Sequence, residues 1–203
     1  MNTTNWKSTL CAGGLQIIGL PSKIKVMFRH KQTNTAINEV LFYGAEDEEQ
    51  RKQVGLSNLC CIYYVIVHAN YSINVCTPSL TSSTITKSLT NVKQKGDIRI
   101  RVAIYNSVDY SSLGTLSKHG IEVKAISSSV QLQHEFILID ESDSPDAVAI
   151  IGSLDYELSR VNCNRDSTLI TSDRAVISSL KQEFDRVWNS IPDIMKTHDD
   201  KSL

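Results

Sequence analysis

Residues 130–140 read Val-Gln-Leu-Gln-His-Glu-Phe-Ile-Leu-Ile-Asp, and residues 150–156 read Ile-Ile-Gly-Ser-Leu-Asp-Tyr after an acidic loop. Short apolar runs bounded by polar or turn residues are typical of buried strands. We therefore predict two strands, at about 132–140 and 147–151, the second ending in a tight Gly-Ser turn. This strand pair carries a histidine, an acid at each end and the turn, so it is the first candidate for a functional site.

Strand-like and helical segments alternate on both sides of this pair. Short apolar or alternating runs predict further strands at 39–44, 72–76, 98–104, 121–126 and 167–171. Apolar residues three and four apart predict helices at 45–69, 82–95, 111–119 and 173–188, with Asp173 as an N-cap and Gly120 as a helix stop. This alternation predicts an α/β sandwich with a mixed sheet. The run at 98–104 alternates strictly, which predicts a strand with one polar face.

Length and composition fit one folded domain with a hydrophobic core. The chain has 203 residues, of which 41% are hydrophobic and 21% are charged. Its formal net charge is −1, so it lacks the overall basic excess of proteins that grip nucleic-acid backbones. The five cysteines form no CxxC pair or Cys/His zinc pattern, and we predict reduced, buried thiols in an intracellular protein.

The N-terminal region is apolar between residues 9 and 20 and basic after Pro21. The apolar stretch is shorter than the roughly 20 residues that a membrane-spanning helix needs. It is also a poor secretory signal, because no basic region closely precedes it. A marginal membrane anchor and a surface-lying or disordered leader are both compatible with it. We predict a leader at 1–38, one domain at 39–191 and a polar tail at 192–203.

The order of these segments resembles the phospholipase D superfamily, in particular the single-domain branch of Zucchini and the mitochondrial cardiolipin hydrolases. The resemblance rests on collinear segments: Val40-Leu-Phe42, Ser72-Ile-Asn-Val-Cys76, Gly120-Ile-Glu-Val123, Phe136-Ile-Leu-Ile-Asp140, Gly152-Ser-Leu154, Asn164-Arg-Asp166, Leu169-Ile170 and Glu183-Phe-Asp-Arg-Val-Trp188. It implies a phospholipase D-like domain with helices on both faces of the sheet, a homodimer, and a place on the mitochondrial outer membrane facing the cytosol. It also implies a link to small-RNA (piRNA) biogenesis.

Members of that family carry one His-x-Lys-x4-Asp motif per chain, and two motifs form one site. One histidine attacks the phosphodiester phosphorus, the lysines hold the phosphate oxygens, and the other histidine protonates the leaving group. By this resemblance the histidine position is Gln133, the lysine position is Glu135 and the acid is Asp140. Gly152 and Ser153 match the phosphate-side turn, and Asp155 stands where the family has asparagine. The chemistry needs no metal, and the zinc-binding Cys/His insertion of some members is absent, so we predict no cofactor.

The substituted motif predicts a catalytically impaired protein. The amide of Gln133 is not nucleophilic and does not transfer protons near neutral pH. Glu135 replaces a phosphate-binding cation by an anion, and two like charges ~4 Å apart cost on the order of 4 kcal/mol at an effective dielectric constant near 20. The resulting hypothesis is a pseudoenzyme that acts as a binding or scaffold protein. A membrane surface is a possible partner, and nucleic acid or phospholipid would be ligands only if activity survives.

Two alternatives retain catalysis. His134 could serve an active cardiolipin hydrolase or single-strand endonuclease, but alternation along a strand puts it on the opposite face from Gln133 and Glu135, so a bulge would be required. Alternatively, Glu135, Asp140 and Asp155, doubled by the symmetry of a dimer, could bind a divalent cation and support metal-assisted hydrolysis. We favour the interpretation that these acids face solvent or pair with arginines, the candidates being Arg99, Arg101 and Arg165.

Overall fold

The computed structural model describes residues 37–80, 82–105, 110–142, 145–153 and 165–190. The strands in this part of the chain are β1 (Asn38–Phe42), β2 (Ser72–Thr77), β3 (Arg99–Tyr105), β4 (Glu122–Ile126), β5 (Phe136–Ile139), β6 (Val148–Gly152) and β7 (Ser167–Thr171). The helices are α1 (Glu48–Val67), α2 (Ser83–Lys95), α3 (Tyr110–Lys118) and α4 (Arg174–Ser190). Every predicted element is present, with small shifts at the ends.

The strands form one mixed sheet in the order β1-β7-β6-β5-β2-β3-β4. Two neighbouring pairs, β2–β3 and β3–β4, are parallel. The other four, β1–β7, β7–β6, β6–β5 and β5–β2, are antiparallel. The strand pair β5–β6 therefore lies in the middle of the sheet, between β2 and β7. This central position explains why both strands are rich in aliphatic residues, since strands buried on both faces read as continuous apolar runs.

Helices cover both faces of the sheet, as predicted. Helices α1, α2 and α3 pack on one face around a large aliphatic core, and α4 packs on the other against β3, β5 and β6. Successive side chains of β5 alternate between the two cores: Phe136 and Leu138 pack with α4, whereas Ile137 and Ile139 pack with the other helices. The predicted α/β architecture is confirmed.

Two predicted helix boundaries, the N-cap Asp173 and the helix stop Gly120, are confirmed. Helix α1 begins three residues later than the predicted residue 45, with Asp47 as its N-cap, whose carboxylate accepts the backbone N–H of Gln50 at 2.8 Å. The Asp173 carboxylate accepts the backbone N–H groups of Ala175 and Val176 at 2.9 and 3.1 Å. Gly120 ends α3 with a φ of 74°, in the left-handed region that glycine adopts without strain.

The predicted strand at 132–140 is shorter in the structure, where it covers only Phe136–Ile139. The neighbouring strand explains the difference. The backbone N–H of Gly152, the last residue of β6, donates to the carbonyl of Glu135 at 3.0 Å. Because β6 ends there, the residues before Glu135 have no continuing ladder on that side, and 131–135 are irregular.

The polar face predicted for β3 is present at Arg99 and Arg101, and α4 covers part of it. Ala103 is fully buried, and the side chain of Arg101 is only 13% exposed. The guanidinium of Arg101 lies 4.9 Å from the centre of the Phe184 ring and 5.5 Å from that of Trp188. Cation–π contacts of this kind allow an arginine to lie beneath an apolar helix face. Arg99, at the end of the strand, is the exposed exception.

The cysteine prediction holds for Cys61 and Cys76, which are buried, and was wrong for Cys60, which is exposed. Adjacent helical residues point about 100° apart, so Cys60 faces outward while Cys61 enters the core. Burial raises the pKa of the Cys61 and Cys76 thiols to about 12, so both are inert near neutral pH. Positions 11 and 163 lie outside the described residues.

Among the described residues, no helix has the length and apolar character needed to cross a membrane. The predicted leader at 1–38 and tail at 192–203 lie outside the described residues apart from residues 37 and 38, and β1 begins at Asn38.

Candidate functional site

The site predicted from the motif is divided between the two ends of β5. Glu135 immediately precedes the strand and Asp140 immediately follows it. At about 3.3 Å per residue, the two acids are roughly 16 Å apart along the extended chain. Glu135 lies beside the turn after β6, whereas Asp140 lies beside the start of β2. The structure therefore does not bring these two predicted residues together.

The residues before β5 include two of the motif positions. Gln133 is exposed, and its amide nitrogen donates to the side-chain oxygen of Gln131 at 3.2 Å. Glu135 is partly buried. Its backbone carbonyl contacts Gly152, which places Glu135 next to the Gly152-Ser153 turn. Gln133, Glu135 and the turn therefore lie at the same end of β5, as does His134 between them.

His134 lies on the α4 side of the sheet. Its Nε2 is 2.8 Å from the Glu183 Oε1 of α4, and its ring centre is 6.3 Å from that of Phe136, which packs against the same helix. The His134 side chain is 49% exposed. This placement follows the alternation of β5, although His134 itself lies before the strand. Its proposed lack of a catalytic role stays a prediction.

Glu183 is the residue that holds His134, and the sequence reasoning gave it no role. Its two carboxylate oxygens accept from the Nε and a terminal nitrogen of Arg186, each at 2.7 Å. This hydrogen-bonded pair, with further attraction from the Arg186 and His134 charges, lowers the pKa of Glu183 below its usual value. The i, i+3 spacing of an acid and an arginine on a predicted helix was the available signal for the pair, but nothing local pointed to His134.

The lowered pKa of Glu183 predicts an acid-dependent stability term. A carboxylate whose folded-state pKa is depressed stabilises the protein above its unfolded-state pKa, and this is lost as the pH falls through the folded-state value. We expect Glu183→Gln to lower the free energy of unfolding by at most about 1 kcal/mol near neutral pH, because Arg186 is well exposed. Urea unfolding at pH 7 and pH 3 should show the difference shrinking in acid. A difference independent of pH would contradict this prediction.

Asp140 organises the connection between α1 and β2. One carboxylate oxygen accepts the backbone N–H groups of Tyr71 and Ser72 at 2.8 and 3.0 Å, and the other accepts that of Asn70 at 2.9 Å. Asp140 is buried, with a φ of 52°, in a left-handed conformation that aspartate tolerates better than most residues. These contacts give Asp140 a structural function.

The turn after β6 brings three strands into close contact. Gly152 has a φ of 121°, and a Cβ atom there would lie 2.6 Å from the backbone carbonyl oxygen of Ser167 on β7. The carbonyl of Ser153 accepts from the hydroxyl of Thr168 at 3.4 Å. Gly152, which was predicted to belong to the phosphate-side turn, is therefore also required by the close packing of β6 against β7. Asp155 lies outside the described residues.

The predicted metal ligands Glu135 and Asp140 are not brought together within the described part of one chain. The described residues contain no group of three or more His, Cys, Asp or Glu side chains placed to hold a metal ion. Of the three predicted ligands, Glu135 and Asp140 lie at opposite ends of β5, and both oxygens of Asp140 accept backbone N–H groups. The arginines considered as partners of the site acids pair instead with other acids: Arg99 with Glu122, Arg165 with Glu46, and Arg101 with Glu141 and Asp185.

A second polar feature was missed by the sequence reasoning. A pocket of about 420 Å³ opens at the Asp140 end of β5. Its floor includes Glu141, which is buried and accepts from Ser72 and Asn74 at 2.6 and 2.7 Å. The relevant signals were the acid directly after Asp140 and the Asn74 side chain within an otherwise apolar strand. Neither residue had a partner that could be identified from the sequence.

The sequence of this chain is similar to a known protein family and to several curated proteins. A family model described as "Cardiolipin synthase, PLD-like domain" matches residues 62–188. Among curated relatives, the mitochondrial cardiolipin hydrolase of Xenopus tropicalis is 25% identical, over 85% of this chain and 86% of the relative. The mitochondrial cardiolipin hydrolase of Homo sapiens is 28% identical, over 66% of this chain and 52% of the relative.

The solved structures that share this fold include those of two bacterial proteins, NucT and Nuc. NucT from Helicobacter pylori superposes with a TM-score of 0.60 at 17% identity and covers 77% of this chain and 98% of its own. Nuc from Salmonella typhimurium, a phospholipase D family member, gives a TM-score of 0.60 at 16% identity, with coverages of 78% and 97%. At these identities the likeness concerns the fold alone.

Proposed function

The chain belongs to the phospholipase D-like family, and from that premise we propose that it is a catalytically impaired member that acts by binding. The observation that carries the proposal is the position of Glu135. Its backbone lies next to the Gly152-Ser153 turn, where the family resemblance implies a phosphate-binding lysine. A carboxylate there repels the phosphodiester that the lysine would attract.

The other motif position supports the same proposal. Gln133 stands at the position of the nucleophilic histidine, and its exposed amide offers neither a nucleophile nor a proton donor near neutral pH. The neighbouring imidazole of His134 is engaged with Glu183 on the α4 side. In a homodimer of the kind that the family resemblance implies, each of these substitutions occurs twice at one site. We include this homodimer in the proposal; a monomer at tens of micromolar by light scattering would contradict it.

We further propose that the protein acts at the mitochondrial surface, as a binding or scaffold protein in piRNA-linked processes. The mitochondrial part is supported by the names of its curated relatives, which are mitochondrial cardiolipin hydrolases. The link to piRNA rests on the family resemblance alone. Residues 1–35 fused to a fluorescent reporter should direct it to mitochondria. A diffuse cytosolic signal would remove this part of the proposal without affecting the rest.

Charge reversal at Glu135 tests the proposed repulsion. We expect Glu135→Lys to bind a short single-stranded oligonucleotide at least about tenfold more tightly than the wild type, since one negative charge becomes positive beside the turn. The measurement is fluorescence anisotropy at low ionic strength. Glu49→Lys is the matched control, because it makes the same change in net charge at an exposed position in the first turn of α1. Equal affinities of the two variants would contradict the proposal.

A second candidate function is an active phosphodiesterase that uses His134. The observation that favours it is the 2.8 Å contact between His134 and Glu183, since a carboxylate that orients an imidazole is a common arrangement for a general base. Turnover of cardiolipin or single-stranded nucleic acid that is abolished by His134→Ala would establish this alternative. Turnover lost only in the presence of EDTA would instead favour a metal-dependent site.

A further inference from the structure

The pocket at the Asp140 end of β5 is separate from the motif edge. It opens where β2 and β3 begin and where α4 crosses the sheet, and Asp140 itself forms part of its wall. Its volume is about 420 Å³, and it is open to solvent. Because the pocket and the Gly152 turn lie at opposite ends of β5, a ligand here is independent of the proposed function.

The floor of the pocket is a fixed row of polar side chains. Glu141 accepts the amide N–H of Asn74 at 2.7 Å, and the Asn74 oxygen accepts the Nε–H of Arg101 at 2.8 Å. Asn74 and Glu141 are buried, and Arg101 lies against the rings of Phe184 and Trp188. Side chains held in this way present donors and acceptors in a defined geometry. Ligand binding would therefore cost little side-chain conformational entropy.

The charges of the pocket are already balanced. Arg99 pairs with Glu122 at 2.9 Å, and Lys181 pairs with Asp185 at 2.6 Å. A terminal nitrogen of Arg101 lies 3.9 Å from Glu141 and 3.6 Å from Asp185. An anionic ligand would meet the two carboxylates beside Arg101, and a cationic ligand would meet the guanidinium. The pocket therefore favours a ligand without net charge.

The pocket also has hydrogen-bonding capacity left. A guanidinium carries five N–H donors. Within the described part of the chain, the Nε–H of Arg101 donates to Asn74, while the terminal nitrogen near the carboxylates lies beyond hydrogen-bond distance from them. Tyr71, one of the lining residues, is 63% exposed, so its side chain is accessible to a ligand. An aromatic side chain combines an apolar face with a polar edge, which suits the C–H face of a ring that bears hydroxyl groups.

We propose that this pocket binds a small uncharged ligand rich in hydroxyl groups, of the sugar or polyol class. The ligand's hydroxyl groups accept from the free guanidinium donors of Arg101 and donate to the Glu141 and Asp185 carboxylates. Its carbon face lies against Tyr71. A single-stranded nucleic acid is disfavoured, because its phosphates need a basic excess that this balanced pocket lacks.

The test is a titration of the full-length, 15N-labelled protein with glucose, myo-inositol and glycerol, followed by amide chemical shifts, with sodium phosphate as the anionic comparison. We expect saturable shifts in the segment from Tyr71 to Asn74 with at least one polyol. Tyr71→Ala should weaken this binding by about tenfold, whereas Tyr63→Ala, an exposed tyrosine on α1, should leave it unchanged.

Three results would overturn the proposal. The first is the absence of shifts in the Tyr71–Asn74 segment with all three polyols. The second is a response to phosphate stronger than the response to any polyol, which would identify an ionic site. The third is binding that Tyr71→Ala and Tyr63→Ala weaken equally, which would place the ligand elsewhere.

Discussion

Replacing Asp140 by alanine is expected to lower the free energy of unfolding by about 3 kcal/mol or more. The substitution removes a carboxylate that accepts three backbone N–H groups, those of Asn70, Tyr71 and Ser72. Charge-assisted hydrogen bonds are among the stronger ones, and donors left without a partner add about 1–3 kcal/mol each when water cannot reach them. Alanine would also have to adopt the φ of 52° that aspartate tolerates.

Urea unfolding at neutral pH measures this effect, and two variants calibrate it. Asp140→Asn keeps an acceptor oxygen and a side chain suited to the left-handed region, so we expect about half the loss. Asp97→Ala removes a fully exposed carboxylate and should change stability by less than about 0.5 kcal/mol. If Asp140→Ala is as stable as Asp97→Ala, the structural function assigned to Asp140 is wrong.

Gly152→Ala is the second substitution with a large expected effect. Its Cβ would lie 2.6 Å from the Ser167 carbonyl oxygen and 3.3 Å from the Thr168 Cα, both backbone atoms of β7, and the φ of 121° is unfavourable for any residue with a side chain. Backbone strain of this kind costs about 1–3 kcal/mol, and displacing a central strand adds to it. We therefore expect destabilisation by about 3 kcal/mol or more and a Tm lower by at least roughly 6 °C.

Gly114→Ala is the matched control for that experiment. Gly114 lies on the exposed side of α3, and no heavy atom lies within 4 Å of a Cβ built there. Because alanine favours helices over glycine, stability should rise by about 0.5–1 kcal/mol. Equal stability of the Gly152→Ala and wild-type proteins would show that β6 and β7 do not approach as closely as described.

The order of strands and helices could be predicted because its signals are local. Apolar periodicity located every described element, and the predicted caps at Asp173 and Gly120 involve neighbours within a few residues. The start of β5 could not be located, since it depends on where β6 ends at Gly152. The cover of Arg101 could not be predicted either, because Phe184 and Trp188 come from the far end of the chain.

In the candidate site, too, local features could be predicted from the sequence, whereas contacts between distant residues could not. Strand alternation was sufficient to separate His134 from its two neighbours, but its partner Glu183 lies on a helix distant in sequence. The motif grouped Asp140 with Glu135, whereas the structure has Asp140 bind the backbone of the α1–β2 connection some seventy residues earlier. The pocket beside it combines residues of β2, β3, α4 and the loop after β5, and no short pattern in the sequence connects these four segments.

The central claim is that Glu135 and Gln133 leave the phospholipase D-like scaffold without its reacting groups. The most direct measurement is the initial rate at which the purified full-length protein hydrolyses cardiolipin and a single-stranded oligonucleotide, compared with a buffer blank. We expect a wild-type rate equal to that of the blank, and we expect His134→Ala to leave it unchanged. A wild-type rate clearly above the blank that survives purification, and that His134→Ala or Glu135→Gln abolishes, would contradict this claim.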